Sequence, residues 1–341
     1  METTGDPISL VEAAYRAQTD QRAWLNQLAD SAGSFDRGLG LIAYSADIVP
    51  GYGLKLDANA TRSMRPELED ALRTGTERDR DLGARSVQRA RSGGTFSEAM
   101  GAEDSFSLLQ IAGAWGCHDL LGVTSIDPDG RVVGLMVALP EIYTLSRRER
   151  DQWDRLAAHL AAGHRLQRRL QEAREARDAE TDLGEAILRP DGHVEHASEG
   201  AKTPAVRTYL RDAALAIDRA RSSLRLKDPD GALSLWRALV SGRWSLVDRF
   251  DSDGRRYLVA HRNDPRTQAL AALTHREQQV TAYLALGHSN KRIAYELGLS
   301  ESTVSEVGRR SLAKLGVSSR ADLARVYAAT MDESQTRAQL P

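Results

Sequence analysis

Apolar residues recur along this chain at two periods, and the period sets the element expected at each place. From Ile8 to about Asp30, Leu10, Ala14, Trp24 and Leu28 form one helical stripe, which ends before Ala32-Gly33-Ser34. The apolar run from Gly38 to Ser45 has the length of a strand. Residues 60–91 are polar and helix-prone, and the Gly93-Gly94 pair stops them. Two alternating apolar runs, Leu120 to Ile126 and Arg131 to Ala138, flank Asp127-Pro128-Asp129-Gly130 and predict a hairpin. Ser146 and Glu149 have the spacing of a capping box, so a helix starts there. Its stripe runs through Trp153, Leu156, Leu160, Gly163, Leu166 and Leu170, and from Trp153 to Leu160 it predicts packing on the preceding sheet. Beyond Arg165 the stripe thins, and the charged stretch from Gln167 to Asp178 reads as a connector or a dimerising helix.

A second, smaller pattern follows. One hairpin turns at Pro190-Asp191-Gly192 and another at Asp251 to Gly254, with helical stretches from Ala205 to Leu224 and from Gly231 to Val240 between them. Strands at both ends with helices between predict an α+β unit of about 90 residues, with Asn263 to Arg266 as its exit linker. From Leu273 onward, three short helices come in close succession. Thr274 and Glu277 form a second capping box before an apolar face of Val280, Tyr283, Leu284 and Leu286. Asn290 opens a helix carrying Ile293, Ala294 and Leu297, Gly298 ends it, and Ser300 caps the next. Short helices joined by a tight glycine-containing turn make a helix-turn-helix.

Composition narrows the class. The 341 residues, 41% hydrophobic and 28% charged, fit a folded multidomain α+β protein. The single cysteine, Cys117, can form no internal disulfide, which points to a reducing cytoplasm. The longest apolar stretch, Val132 to Pro140, is far short of the ~20 residues of a membrane helix, and no membrane association is expected. The net charge of −2 gives no global attraction to nucleic acid, but residues 271–330 carry eight Lys and Arg against five Asp and Glu. A mildly basic C-terminal unit is therefore carried by an acidic body.

The C-terminal residues carry a family resemblance. Leu273-Thr274, Arg276-Glu277, Gly287, Ser289 to Lys291, Ile293-Ala294, Leu297, Ser300, Thr303-Val304, Lys314 to Val317 and Ser319-Arg320 resemble the LuxR-type helix-turn-helix domain. The resemblance implies an all-α tetrahelical unit whose third helix lies in the major groove of double-stranded DNA. It puts Ser305, Glu306 and Arg309, with Arg310, on the groove side, and Thr303, Lys291 and Lys314 near phosphates. Arg309 is suited to bidentate bonds with guanine, and Glu306 could accept from cytosine N4. A fourth helix, Ser319 to about Ala329, would pair two subunits into a homodimer. Three positions depart from the family pattern: Val307 stands at a usual histidine, Gly308 lies inside the reading helix, and Ser311 replaces an apolar residue. They bear on base preference and on the rigidity of that helix. The competing reading of the three helices is a small bundle with a solvated charged face.

The body is less specific. The segment from Ile8 to Leu170 resembles a GAF-type sensory domain, and Asp182 to Arg262 resembles a PAS domain. The domains expected are thus 1–170, GAF-like with its closing helix; 171–266, PAS-like; and 267–332, DNA-binding. These likenesses imply control by a small-molecule or protein ligand, with RNA polymerase as a further possible partner. Trp115, beside a glycine-rich turn, is a candidate pocket wall; Trp24, Trp153, Trp236 and Trp244 read as core.

No cofactor or metal is expected. His159 and His164 are five apart on one helix, a poor fit to one face, and Cys117 has no second cysteine to join it. His193 and His196 read as surface residues. An enzyme is the weaker reading, because no Gly-x-Ser-x-Gly elbow, phosphate-binding loop or His-Glu-x-x-His motif occurs. The stronger alternative to a regulator is a protein-interaction adaptor that has lost DNA binding, for which Glu306 and Gly308 speak. The expected function is a sequence-specific, dimeric transcription regulator.

Overall fold

The computed structural model describes residues 6–49, 52–78, 93–104, 112–127, 130–175, 184–241, 244–250, 255–262, 273–315, 317, 319–321 and 323–324. The chain is mixed α+β, with two antiparallel sheets and a helical C-terminal unit. It starts with two helices, α1 (Pro7–Tyr15) and α2 (Gln21–Ser31), where the apolar stripe predicted one. Asp20 divides them: its side chain accepts a hydrogen bond from the Ala23 amide and restarts the helix.

Five strands then form the first sheet: β1 (Leu41–Val49), β2 (Gly53–Arg62), β3 (Gly93–Thr95), β4 (Asp119–Ile126) and β5 (Arg131–Leu139), in the order β2-β1-β5-β4-β3. The β4–β5 hairpin forms where expected, with Leu120 opposite Ala138 and Ile126 opposite Val132. Part of the polar stretch from residue 60 is the end of β2, and helix α3 (Pro66–Arg78) supplies the expected helix; residues 79–92 lie outside the described set. Gly93 and Gly94 belong to β3 and are not a simple stop, and α4 (Phe96–Asp104) follows them.

Strand alternation gives the first sheet two buried faces. Leu41, Ala43, Val133, Leu135 and Val137 face α1, α2 and the long helix α5 (Arg147–Glu175), whereas Ile42, Tyr44, Leu120 and Val132 join Leu68 and Leu72 of α3 and Phe96 of α4 on the other side. The expected capping box starts α5: the Ser146 amide donates to Glu149 Oε2 at 2.8 Å, and the Glu149 amide donates to Ser146 Oγ at 3.3 Å. The helix continues unbroken through Arg165. Leu166, Gln167, Leu170 and Ala173 are buried, and the Gln167 side chain bonds both the amide and the carbonyl of Gln18. Gly163 permits the close crossing with α1, since a Cβ there would lie 2.3 Å from the Ala14 carbonyl oxygen.

The second sheet, β7-β6-β9-β8, uses β6 (Ala186–Leu188), β7 (Val194–Ala197), β8 (Trp244–Phe250) and β9 (Arg256–Arg262). Helices α6 (Pro204–Arg221), α7 (Leu224–Lys227) and α8 (Pro229–Ser241) lie between β7 and β8 in the chain. One buried cluster joins this unit to the first sheet, and Tyr15 stacks on Trp236 with ring centres 5.9 Å apart. Trp24, Trp153, Trp236 and Trp244 are core residues, as expected. Trp115 is 40% exposed and lines neither of the two grooves described below. The expected linker at 263–266 falls outside the described residues.

Candidate nucleic-acid interface

The last unit contains α9 (His275–Ala285), α10 (Asn290–Leu297) and α11 (Glu301–Lys314). Helices α9 and α11 have the start signals read from the sequence, whereas α10 is capped by Ser289, one residue before the expected Asn290. The Glu277 amide donates to Thr274 Oγ1 at 3.3 Å and the Thr274 amide donates to Glu277 Oε2 at 2.9 Å. Ser289 Oγ accepts from the Arg292 amide, and Ser300 Oγ accepts from the Thr303 amide. Gly298 ends α10 in the left-handed conformation, φ 65°, which lets the chain turn sharply into α11. Val280, Tyr283, Leu284, Ile293, Leu297, Val304 and Val307 fill the centre, closed by Leu323. Of the expected fourth helix, residues 320–321 and 323–324 are helical and the rest lies outside the described set.

Helix α11 has an inner and an outer side. Val304, Val307, Gly308 and Ser311 are buried, whereas Ser305, Glu306, Arg309 and Arg310 are exposed. Residues 305, 306 and 309 fall on one outward face because positions four apart align on a helix. The three departures from the family pattern all lie on the inner side. A Cβ at Gly308 would sit 2.8 Å from Leu284 Cδ1 of α9, so this glycine sets the spacing between two helices. Ser311 is fully buried and its hydroxyl donates to the Val307 carbonyl at 2.9 Å, which satisfies its polar group without an outside partner.

The charged candidates differ in their surroundings. Arg309 has no ion-pair partner among the described residues, while Arg310 and Glu306 approach to 3.9 Å in an exposed pair. Lys314 lies 2.7 Å from Glu277 Oε2, and this contact together with the Thr274 hydrogen bonds holds the Glu277 carboxyl down to about 2. Thr303 Oγ1 is 2.7 Å from the capping Ser300 Oγ. Lys291 reaches out of the unit to Asp151 of α5, Nζ to Oδ1, at 2.6 Å.

That contact belongs to a junction which sequence reasoning missed. Arg292 and Glu296, one turn apart on α10, are both about 1% exposed at their side chains and lie 3.3 Å from each other. Arg292 Nη2 donates to Ser125 Oγ of β4 at 2.8 Å. Arg165 of α5 pairs with Asp127 and approaches Glu296 to 3.8 Å. Burial opposes the Arg165 charge, but Asp127 and Glu296 outweigh it and keep the guanidinium firmly protonated. Beside these charges, His159 connects Tyr15 to Tyr295. The only sequence signal for this junction was the pair of helical histidines. An Arg and a Glu one turn apart otherwise read as a solvated pair.

A groove of about 350 Å³ runs along the junction, lined by Asp151, Asp154 and Arg155 on one side and by Lys291, Tyr295 and Ser300 on the other. No three His, Cys, Asp or Glu side chains among the described residues are arranged to hold a metal ion. Among those residues no helix is long and apolar enough to cross a membrane.

Comparison with known proteins locates the resemblance. Residues 271–327 match the family of bacterial regulatory proteins of the luxR type, GerE. No curated protein matches the chain. Among solved structures, Escherichia coli SdiA aligns over 86% of this chain and 83% of its own, at 13% identity and a TM-score of 0.26. SdiA in complex with octanoyl-rac-glycerol aligns over 86% and 81%, at 16% identity and a TM-score of 0.22. The assignment therefore rests on the C-terminal unit: residues 271–327 are a LuxR-family helix-turn-helix domain.

Proposed function

We propose that the chain is a sequence-specific DNA-binding transcription regulator whose body controls its C-terminal domain. The observation that carries this reading is the outer face of α11, where Ser305, Glu306 and Arg309 stand exposed on a helix held by three capped segments. In a helix-turn-helix that face enters the major groove, and Arg309 is the side chain suited to the O6 and N7 of guanine. Lys291, Thr303 and Lys314 are assigned to phosphates, and Arg310 to the rim of the same face.

One small domain of modest charge binds a specific site weakly by itself, so a homodimer addressing two half-sites about one helical turn apart is part of the proposal. The fourth helix is its proposed seam, RNA polymerase a proposed partner, and the cytoplasm the proposed compartment. The body is read as a GAF-like unit, 1–170, and a PAS-like unit, 171–266, that respond to a small molecule or a protein; no catalytic role is assigned to either.

The junction at α10 supports control by the body. Lys291 cannot hold a phosphate while it holds Asp151, and Asp151 and Asp154 place negative charge where the DNA backbone would pass. The described arrangement is thus read as a resting state in which the reading helix is open and the brace helix is clamped. Selection of genomic fragments by the purified chain, followed by titration at several salt concentrations, tests the reading. A two-fold enriched motif with a falling log K against log salt is expected. Absence of any DNA binding at low salt favours the adaptor.

A further inference from the structure

A second groove lies on the opposite stretch of α5 from the DNA-binding domain's brace. It has a volume of about 300 Å³, between the edge of the first sheet and the C-terminal third of α5. Its sheet side carries Ser45, Asp47 and Asp57, and its helix side His164, Glu172 and Glu175, with Arg131 and Arg168 between. Arg168 and Glu172 pair with each other at 3.6 Å. Asp47, Asp57 and Glu175 have no ion-pair partner among the described residues, so the groove carries uncompensated negative charge.

Two further side chains in this groove lack partners. His164 is 5% exposed and lies flat on Trp24, with ring centres 5.7 Å apart, yet its ring nitrogens make no hydrogen bond among the described residues. Burial keeps that ring neutral, with one nitrogen left as an acceptor. The amide nitrogen and oxygen of Gln21 are both shielded and both unpartnered. Buried polar atoms normally find a partner, and several unpaired ones around one hollow mark the place of a polar ligand.

We infer that this groove is an effector site for a small organic cation bearing at least one primary amine, whose ammonium is held by Asp47 and Asp57 on the paired strands β1 and β2. Acceptors dominate the lining, which selects a donor-rich, positively charged ligand. The unpartnered acceptors of Gln21 and His164 beside these carboxylates suit an N–H donor, so the cation that fits is an ammonium. The proposal rests on the regulatory reading above in one respect only, the effect on DNA.

The groove is connected to the α10 junction by two short paths. Arg131 on its rim accepts, through its carbonyl oxygen, a hydrogen bond of 2.8 Å from the Asp127 amide, and the Asp127 carboxylate holds Arg165. Arg165 also follows His164 directly in α5 and faces Glu296 of α10. Movement of Arg131 or His164 by a ligand is therefore felt one residue away from the contact that holds the brace helix.

Calorimetric titration of the full chain with 1,4-diaminobutane and with agmatine, using succinate as the anionic control, tests the site without DNA. Saturable binding of an amine at millimolar concentration or below is expected, with no binding of succinate. The isosteric double variant Asp47→Asn, Asp57→Asn should weaken it by about tenfold or more, because two charge-assisted contacts are lost. Glu195→Gln, on the second sheet, should leave it unchanged. Lack of saturable amine binding overturns the proposal, as does binding undiminished in the double variant whose circular dichroism matches the parent. If the amine binds as expected but leaves DNA affinity unaltered, the site stands and its coupling to the junction fails.

Discussion

His159 of α5 meets Tyr295 of α10 across the junction, imidazole Nε2 to phenol oxygen at 3.0 Å, while its Nδ1 lies 2.9 Å from the Tyr15 hydroxyl. Both ring nitrogens thus have a phenol partner, and each phenol can donate or accept. Burial keeps the ring neutral, pushing His159 down to about 3, and His164 is pushed down to about 3 by the same cause.

These two histidines predict an acid limit. In the unfolded chain an imidazole titrates near 6.5, so below that pH the unfolded state binds protons that the folded state refuses. The stability from keeping both rings neutral is complete above about 6.5 and is lost as pH falls from there toward about 3. Each ring should cost about 1.4 kcal/mol per pH unit in that window. Urea midpoints measured between about pH 7 and pH 5 should fall steeply, and His164→Gln should make the fall shallower.

The buried charges of the junction predict a large effect from a small change. Replacing Glu296 with Gln leaves Arg292 and Arg165 under-compensated among buried groups, a situation that costs about 3–5 kcal/mol. The loss should register as a lower urea midpoint or as release of the C-terminal domain, which a protease cutting near residues 263–272 would report.

Asp151→Asn removes the anion that occupies Lys291. DNA affinity of the full chain should rise about threefold to tenfold at low salt, since one phosphate contact becomes available without competition. An unchanged or lower affinity in fluorescence anisotropy would show that this contact does not restrain binding.

Arg309→Ala and Lys291→Ala should separate by specificity. The first should cost about 1–3 kcal/mol on the selected site and little on scrambled DNA. The second should weaken both duplexes alike and reduce the salt slope by about one. Equal losses on both duplexes in both variants would contradict the base-reading role of Arg309.

Gly163→Ala tests the crossing of α1 and α5. The new methyl would lie 2.3 Å from the Ala14 carbonyl oxygen, a backbone atom that cannot swing away. A destabilisation of about 1–3 kcal/mol is expected despite the better helix propensity of alanine, measurable by thermal melting.

Legibility in the sequence followed how local each signal was. The capping pairs Ser146/Glu149 and Thr274/Glu277 and the left-handed Gly298 act within a few residues, and all appear where they were read. Strand β2 was hidden because it is half exposed and carries polar residues on its outer face. The break between α1 and α2 was hidden because the apolar residues on either side keep a helical spacing across it, although Asp20 signalled a new cap. The outward face of α11 followed from period and motif together. The clamp on α10 did not, since Arg292, Glu296 and Arg165 become buried partners only when segments more than a hundred residues apart meet. For the same reason the groove beside His164 could not be read from its spacing to His159.

Helix α5 is a single rod of 29 residues, about 43 Å long at 1.5 Å per residue, and it touches the first sheet, α10 and the groove beneath His164. Its message is therefore one of phase. A one-residue insertion between His159 and His164 would rotate everything beyond it by about 100° and turn the two buried rings away from their seats in opposite senses, whereas seven inserted residues would nearly restore their angular register while moving them apart by about 10 Å. The interval from Asp151 to Arg165 is consequently a fixed gauge, because its two ends hold Lys291 and Glu296 of the same helix α10.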